Sequence, residues 1–309
     1  MIVMKNELIS VIVPTHNRDN LLGRALGSIK NQTYKNFEVL VVDDIGNEST
    51  KELVDSFADG RFQYIHNEEH QGATYSRNLG IKKSRGNYIV FLDDDDEWYE
   101  KKLELQLEKF YSDKEIGLVY GKLKIEISSL NIDYITAPSI KGNIYKDLII
   151  ENYVGGTIIP MINLNLVSKE ECYFDTKFPA REEYDLWIRL SRKHKVDFVD
   201  DVLAVAYNDF DEKRISSDIK NYEEGISLLN NKYQKEVEKL LTESEQLNRK
   251  ILQLRFLAAQ AIKVNNTKIA REKYLEVLKL KFSLKNLVFY LMSFLSAKNI
   301  FLLRKYLKG

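Results

Sequence analysis

Four consecutive aspartates, Asp93–Asp96, directly follow a run of residues that is typical of a buried strand. The stretch reads NYIVFLDDDDEWYE, and Tyr88–Leu92 are all aromatic, aliphatic or β-branched. Carboxylates in a row repel one another, so they are costly to keep beside an apolar strand end. One interpretation is a solvated acidic turn, because acidic runs are commonly solvated. The other is a cation site, and the surrounding elements bear on that choice.

The first half of the chain alternates between strand and helix patterns. We predict strands at Leu8–Thr15, Phe37–Asp44, Phe62–His66 and Tyr88–Leu92, with helices near 19–31, 49–58 and 73–84. This alternation indicates a parallel sheet with helices on both faces, and such sheets bind ligands at the carboxyl ends of their strands. Three of these strand ends carry polar clusters, namely PTHNR, Asp43–Asp44 and Asp93–Glu97. The coincidence favours a cation site over a solvated turn.

Composition limits the classes of protein that need to be considered. Hydrophobic residues make up 44% of the 309, which is enough for a substantial core and argues against disorder. Cys172 is the one cysteine, so an internal disulfide and a cysteine-rich zinc site are excluded. The N-terminus shows no basic segment followed by a long apolar run, so we predict no signal peptide and a cytoplasmic protein.

A charge asymmetry divides the chain. Residues 219–309 carry 18 Lys/Arg against 8 Asp/Glu, whereas the residues before them carry 28 against 38. From residue 218 onward the pattern is almost entirely helical. We therefore predict a catalytic or binding domain over residues 1–217 and a basic helical region over residues 218–309.

Four segments, in this order and spacing, resemble the inverting glycosyltransferases of family 2. They are ISVIVPTHNRDNLLGRALGSIKNQTYKNFEVLVVDD, HQGATYSRNLGI, GNYIVFLDDDDEW and REEYDLWIRL, and together they cover about residues 8–210. The resemblance implies the GT-A fold, an α/β class in which a nucleotide-binding half with a mostly parallel sheet is fused to an acceptor-binding half. It also implies transfer of a sugar from a nucleotide sugar.

The resemblance places the uracil of a UDP-sugar at the ends of the first two strands. Pro14, Thr15 and His16 would lie against the base, and Asp44 would accept a hydrogen bond from its imide N–H. A turn or helix-capping aspartate is the alternative for Asp44. The family usually continues with Gly-Ser after this position, whereas here Ile45 follows.

Two residues of the HQGATYSRN segment are also implied to contact the donor. Arg77 would reach the nucleotide, although a surface helix arginine is the alternative. Gly72 would let the backbone approach the ligand closely.

By the same resemblance, the acidic run matches the DxD signature of the family. Asp95 is expected to bind the metal directly, while Asp93 and Asp94 serve the metal through water or the ribose. Oxygen ligands suit Mn²⁺ or Mg²⁺, whose remaining positions would be filled by the donor phosphates and water.

The family carries Glu-Asp where this chain has Glu182 and Glu183, and the second residue is the general base. Glu183 is therefore the expected base, with Glu182 beside it. Glutamate is one methylene longer than aspartate, so its carboxylate would reach farther. The alternative is a solvent-facing glutamate that the dipole at a helix start favours.

The C-terminal region combines basic and apolar residues. Leu287–Leu295 and Ile300–Leu307 are apolar runs, and no acidic residue follows Val277. Basic amphipathic helices suit an anionic membrane surface, so we predict peripheral attachment near a lipid-linked saccharide acceptor. The alternative is that the helices cover one another or a homodimer partner. Nucleic-acid binding is not expected, because the basic residues are interleaved with aliphatic stretches.

These expectations combine into a metal-dependent inverting glycosyltransferase of bacterial surface polysaccharide synthesis. A sugar-nucleotide nucleotidylyltransferase is one rival, but PTHNRDNLLG lacks the Gly-rich loop that would cradle a triphosphate. The other rival is a non-catalytic module that binds a nucleotide sugar, and the glutamate at Glu183 is its one support.

Overall fold

The N-terminal half forms a parallel sheet whose strands are connected by helices. The computed structural model describes residues 6–208, 218–296 and 298–300. The strands are β1 (Ile9–Thr15), β2 (Phe37–Asp43), β3 (Phe62–His66) and β4 (Tyr88–Phe91), in the spatial order β3-β2-β1-β4. The connecting helices are α1 (Asp19–Lys30), α2 (Glu48–Ser56) and α3 (Ala73–Lys83). The alternation predicted from the sequence is confirmed, with bounds that differ by one or two residues.

The second part of the sheet contains antiparallel pairs. It comprises β5 (Glu97–Trp98), α4 (Lys102–Ser112), β6 (Ile116–Ile127), β7 (Ile132–Thr136), α5 (Tyr145–Ile150), β8 (Met161–Asn163), α6 (Glu182–Ser191) and β9 (Lys195–Tyr207). Strand β8 is antiparallel to both β4 and β6, and so joins the two parts into one sheet of nine strands. Strands β6 and β9 are parallel to each other.

The core explains why the predicted strands are continuously apolar. Every residue of β1 and β2 is buried, because helices cover both faces of the sheet. Each fully buried Val, Leu or Ile contributes roughly 1.5–3 kcal/mol relative to an exposed one. Helix α3 lies so close to β1 that a Cβ on Gly80 would overlap the side chain of Ile12. This packing fixes α3, which carries Arg77, beside the strand ends.

Five helices follow residue 218, so the predicted helical character of this region is confirmed where the structure describes it. They are α7 (Ile219–Lys232), α8 (Gln234–Leu240), α9 (Glu243–Lys263), α10 (Thr267–Leu280) and α11 (Leu284–Met292). Leu229, Tyr233 and Leu241 belong to the same apolar cluster as the sheet. The division of the chain at residue 217 stays a prediction. The apolar run Ile300–Leu307 lies outside the described residues except for Ile300.

Candidate active site

The polar strand ends predicted from the sequence meet at one edge of the sheet. Because β1 is parallel to both β2 and β4, their carboxyl ends point the same way. The hydroxyl of Thr15, at the end of β1, donates to Asp94 Oδ2 at 2.8 Å. The end of the first strand and the acidic run are therefore in direct contact.

Three of the four aspartates of the acidic run are buried, and Asp93 is partly exposed. Asp94, Asp95 and Asp96 are only 6–7% exposed, which excludes the solvated-turn interpretation. Asp96 Oδ1 accepts from the backbone N–H of Tyr207 at 3.1 Å and ties β9 to the site. Buried carboxylates need compensating positive charge or hydrogen-bond donors.

Arginines supply that positive charge. Nη1 of Arg18 lies 3.2 Å from Asp94 Oδ1 and 3.3 Å from Asp95 Oδ2, and Nη2 of Arg77 lies 2.7 Å from Asp93 Oδ1. Arg18 is not among the residues predicted from the sequence, although it stands three residues after Thr15 in the PTHNR cluster. Two carboxylates therefore converge on one cationic nitrogen.

This convergence brings together oxygen ligands of the type that divalent cations use. Burial raises the pKa of Asp94 to about 6, and the charges of Asp95 and Asp93 add to the rise, while Thr15 and Arg18 oppose it. A carboxylate cluster of this kind is stabilised by added positive charge. Mg²⁺ or Mn²⁺ would use one or two of these carboxylates and complete its octahedron with phosphates and water.

Asp44 directly follows β2, and its carboxylate already accepts hydrogen bonds from other residues of the protein. Its carboxylate accepts from Asn67 Nδ2 at 3.0 Å and from the backbone N–H groups of Gln71 at 2.9 Å and Gly72 at 2.7 Å. Burial works to raise the pKa of Asp44, but these hydrogen bonds outweigh it and leave the pKa below its ordinary value. The role of Asp44 in reading uracil stays a prediction, and the contacts seen are those of a turn aspartate.

Gly72 and Ile45 adopt backbone conformations that favour glycine. Gly72 has φ 84° and caps α3, so its backbone presents an N–H to Asp44. Ile45, the extra apolar residue directly after Asp44, has φ 107°. A β-branched residue in this region costs of order 1–3 kcal/mol, so the turn after β2 carries local strain.

Two histidines surround Asp44. His16 Nδ1 lies 2.5 Å from the backbone oxygen of Asp44, and His70 Nδ1 lies 2.8 Å from its Oδ2. The sequence predicts His16 in this pocket but not His70, whose one signal is its position two residues before Gly72. Pro14 is buried within β1 opposite Val42.

The candidate base lies at the start of α6. Arg181, at φ 72°, ends the preceding loop and directs Glu182 and Glu183 into the first helical turn. Arg77 Nη1 donates to Glu182 Oε1 at 3.2 Å while its Nη2 holds Asp93, so this arginine joins the acidic run to α6. Burial raises the pKa of Glu183 to about 7, with the charge of Glu182 as the second cause. A carboxylate with such a pKa is suited to proton transfer near neutral pH.

Helices beyond residue 218 support α6. Tyr233 OH donates to Asp185 Oδ1 at 2.8 Å, and Lys232 Nζ lies 2.8 Å from the same atom. The guanidinium of Arg181 stacks 4.0 Å above the ring centre of Phe256 in α9. Through these contacts, which are not predicted from the sequence, the C-terminal helices position the start of α6.

Sequence comparison assigns the N-terminal part of this architecture to one family. Residues 10–161 match the model described as Glycosyl transferase family 2. The chain is 30% identical over 227 residues to "Putative colanic acid biosynthesis glycosyl transferase WcaA" of Escherichia coli K12, covering 70% of this chain and 78% of that protein. It is 29% identical over 196 residues to "UDP-Glc:alpha-D-GlcNAc-diphosphoundecaprenol beta-1,3-glucosyltransferase WfgD" of Escherichia coli, covering 63% and 74%. A Rickettsia bellii glycosyltransferase, 33% identical over 62% of this chain, is much longer, and the match spans 27% of its length.

Solved structures share the fold at low sequence identity. S. aureus TarS 1-349 in complex with UDP-GlcNAc superposes with a TM-score of 0.55 at 17% identity, over 92% of this chain and 79% of that one. The mannosyltransferase PcManGT of Pyrobaculum calidifontis, in complex with GDP-Man and Mn²⁺, gives 0.55 at 16% identity, over 91% and 77%. The predicted GT-A fold is thereby confirmed. From its family match and its similarity to WcaA, the chain belongs to glycosyl transferase family 2 and is a glycosyltransferase.

Proposed function

We propose that the chain transfers a sugar, with inversion, from a UDP-sugar to a hydroxyl of a lipid-linked saccharide in the presence of Mn²⁺ or Mg²⁺. The observation that carries this proposal is the double contact of Arg77, 2.7 Å from Asp93 and 3.2 Å from Glu182. The two terminal nitrogens of one guanidinium thus hold the acidic run and Glu182, the residue directly before the candidate base Glu183. A donor at the acidic run and an acceptor at α6 would then be adjacent.

Each residue of the site has a chemical role in this proposal. Glu183 accepts the proton of the acceptor hydroxyl as that oxygen attacks the sugar. Glu182 and Asp93 hold Arg77, and Asp95, with Asp94 beside it, would bind the divalent ion directly. When bound, that ion supplies positive charge that offsets the charge developing on the departing diphosphate. Inversion in a single displacement requires no covalent nucleophile.

The UDP-sugar part of the proposal has support from the pocket and from relatives. A carboxylate suits uracil, which offers one N–H between two carbonyls, and Asp44 lies at the expected strand end. The name of WfgD contains UDP-Glc, and TarS was solved with UDP-GlcNAc, whereas PcManGT was solved with GDP-Man. Uridine and guanosine diphosphate donors are therefore to be compared directly.

Thermal unfolding measures donor binding even while the acceptor is unidentified. We expect UDP with Mn²⁺ to raise the unfolding temperature, because a ligand that binds only the folded state stabilises it. GDP at the same concentration should raise it less, and Mn²⁺ alone serves as the control. Absence of any UDP affinity, with or without Mn²⁺, would remove the proposal. A larger shift with GDP would change the donor class and leave the metal site standing.

An exposed apolar face of α11 supports the attachment to membranes that forms part of this proposal. Helices α9 and α10 cover each other with small and apolar side chains. Around α11, in contrast, large apolar side chains are 50–76% exposed, namely Phe282, Leu284, Val288, Leu291 and Phe294. Lys281 and Lys285 stand beside them, and such a surface suits anionic lipid. Within the described residues, no helix has both the length and the apolar content to cross a bilayer.

Liposome flotation tests this attachment, which would place the protein on the inner face of the cell membrane near a lipid-linked acceptor. We expect binding to vesicles with anionic lipid and weaker binding to zwitterionic ones, because each basic residue contributes about 1 kcal/mol near an anionic surface. Leu284→Gln with Leu291→Gln should abolish binding, whereas Leu166→Gln, at a 40% exposed residue of the catalytic part, should not. Equal binding by all variants would refute the role of α11. A change from dimer to monomer in the double variant would favour a homodimer instead.

A further inference from the structure

His16, Asp44 and His70 form a cluster of metal-ligand side chains apart from the acidic run. One ligand atom from each lies within 4.8 Å of the other two. The three residues come from the end of β1, the end of β2 and the loop before α3, so they converge only in the folded chain. We propose that this cluster binds a transition ion such as Zn²⁺. Two of the four histidines of the protein lie here.

The hydrogen bonds around His16 fix which ring nitrogen carries the lone pair. A backbone carbonyl only accepts, so the 2.5 Å contact with the oxygen of Asp44 requires the proton of His16 to be on Nδ1. Nε2 then carries the lone pair, and it contacts the exposed side-chain amide of Asn17 at 3.2 Å. Histidines that bind metals characteristically donate their other ring N–H to a carbonyl or carboxylate. His16 already has this arrangement.

Asp44 and His70 complete the ligand set. The carboxylate of Asp44 is fixed by Asn67, Gln71 and Gly72, as ligating carboxylates are fixed by outer partners. The side chain of His70 is 60% exposed and lies 2.8 Å from Asp44 Oδ2, so it can turn without disturbing the core. Ligands around a tetrahedral Zn²⁺ lie about 3.3 Å apart, as follows from bond lengths of about 2.0–2.2 Å.

The chemistry of this cluster differs from that of the acidic run. Imidazole nitrogens select Zn²⁺ and its neighbours, whereas the oxygen ligands of Asp94 and Asp95 suit Mg²⁺ and Mn²⁺. The affinity of the histidine cluster should therefore increase from Mn²⁺ through Co²⁺ to Zn²⁺.

This cluster also overlaps the predicted uracil pocket, to which His16 and Asp44 belong. An ion held by Asp44 would occupy the oxygen that is expected to accept from uracil. Resting on the proposed UDP-sugar function, we expect Zn²⁺ and UDP to exclude each other. Zinc would then inhibit the protein by blocking the uracil pocket, and not by replacing the Mn²⁺ or Mg²⁺ expected at the acidic run.

Calorimetric titration with Zn²⁺ tests the site directly. The wild-type protein should bind Zn²⁺, and His16→Ala or His70→Ala should weaken that binding by more than the roughly 10–100-fold that losing an outer-shell partner costs. His66→Ala, at an exposed histidine at the end of β3, is the matched control and should bind as the wild type does. Circular dichroism confirms that each variant is folded. Equal affinity in the wild type and both cluster variants would overturn the site.

A second titration, of UDP in the presence of Mn²⁺, separates this inference from the proposed function. Zn²⁺ should weaken UDP binding in the wild type but not in the folded His70→Ala variant. If Zn²⁺ binds through the histidines yet leaves UDP binding unchanged, then Zn²⁺ and UDP do not exclude each other, and uracil binds elsewhere. If UDP does not bind at all, the proposed function fails while the zinc site stands on the first titration.

Discussion

A Glu183→Gln variant is expected to lose roughly 10²–10⁴-fold in kcat, the range that general-base catalysis typically contributes. The amide has nearly the shape of the carboxylate but cannot take a proton from the acceptor hydroxyl. Donor binding should be nearly unchanged, because Arg77 makes its hydrogen bonds to Glu182 and to Asp93 of the acidic run, and both stay in place in this variant. The unfolding temperature in the presence of a donor measures donor binding, and sugar transfer from the same donor measures kcat.

The pH dependence of the rate identifies Glu183 more specifically than the loss of rate does. Because burial raises the pKa of Glu183 to about 7, its basic form is depleted as the pH falls below 7. The wild-type kcat/KM should fall about tenfold per pH unit below that point, as for one required deprotonated group. Glu183→Asp, which restores the residue usual in the family, should keep a descending limb, and Glu183→Gln should lose it. Wild-type activity in the glutamine variant would show that another group is the base.

The strands and helices were predictable because their sequence signals are local. β1 and β2 are buried on both faces and therefore appear as unbroken apolar runs, while α6 places Leu186 and Trp187 toward the core. The polar strand ends were predictable for a related reason, since parallel neighbours must end at the same edge. The acidic run consequently lies where the sequence indicated.

The partners of the site residues were not predictable, because they come from distant parts of the chain. Arg18 meets Asp94 across 76 positions, and Tyr233 meets Asp185 across 48. The hydrophobic periodicity of the sequence does not specify which arginine neutralises a carboxylate cluster. A count of charged residues gives only the net charge. His70 is a comparable case, because its role depends on a turn that returns to Asp44. A sequence motif thus locates the carboxylates but not the charges that balance them.

That balance leads to the second large effect, at Asp95. An Asp95→Asn variant should lose most of the dependence of UDP binding on Mn²⁺, with a loss of Mn²⁺ affinity at least as large as the roughly 10–100-fold cost of removing an outer-shell partner. Asparagine keeps the size of the side chain but removes the charge that attracts the ion. Electron paramagnetic resonance of free Mn²⁺ measures this affinity without reference to sugar transfer.

Arg18→Gln should change Mn²⁺ affinity in the opposite direction to Asp95→Asn. The guanidinium lies 3.2 Å from Asp94 and 3.3 Å from Asp95, where it satisfies the same carboxylates that would bind the ion. Removing it leaves both aspartates without that cation, so Mn²⁺ affinity in the absence of nucleotide should rise. Asp133→Asn, at an exposed residue of β7, should change nothing and controls for the loss of one negative charge. If Asp95→Asn and Arg18→Gln both bind Mn²⁺ as the wild type does, the convergence of carboxylates on Arg18 does not mark a metal site.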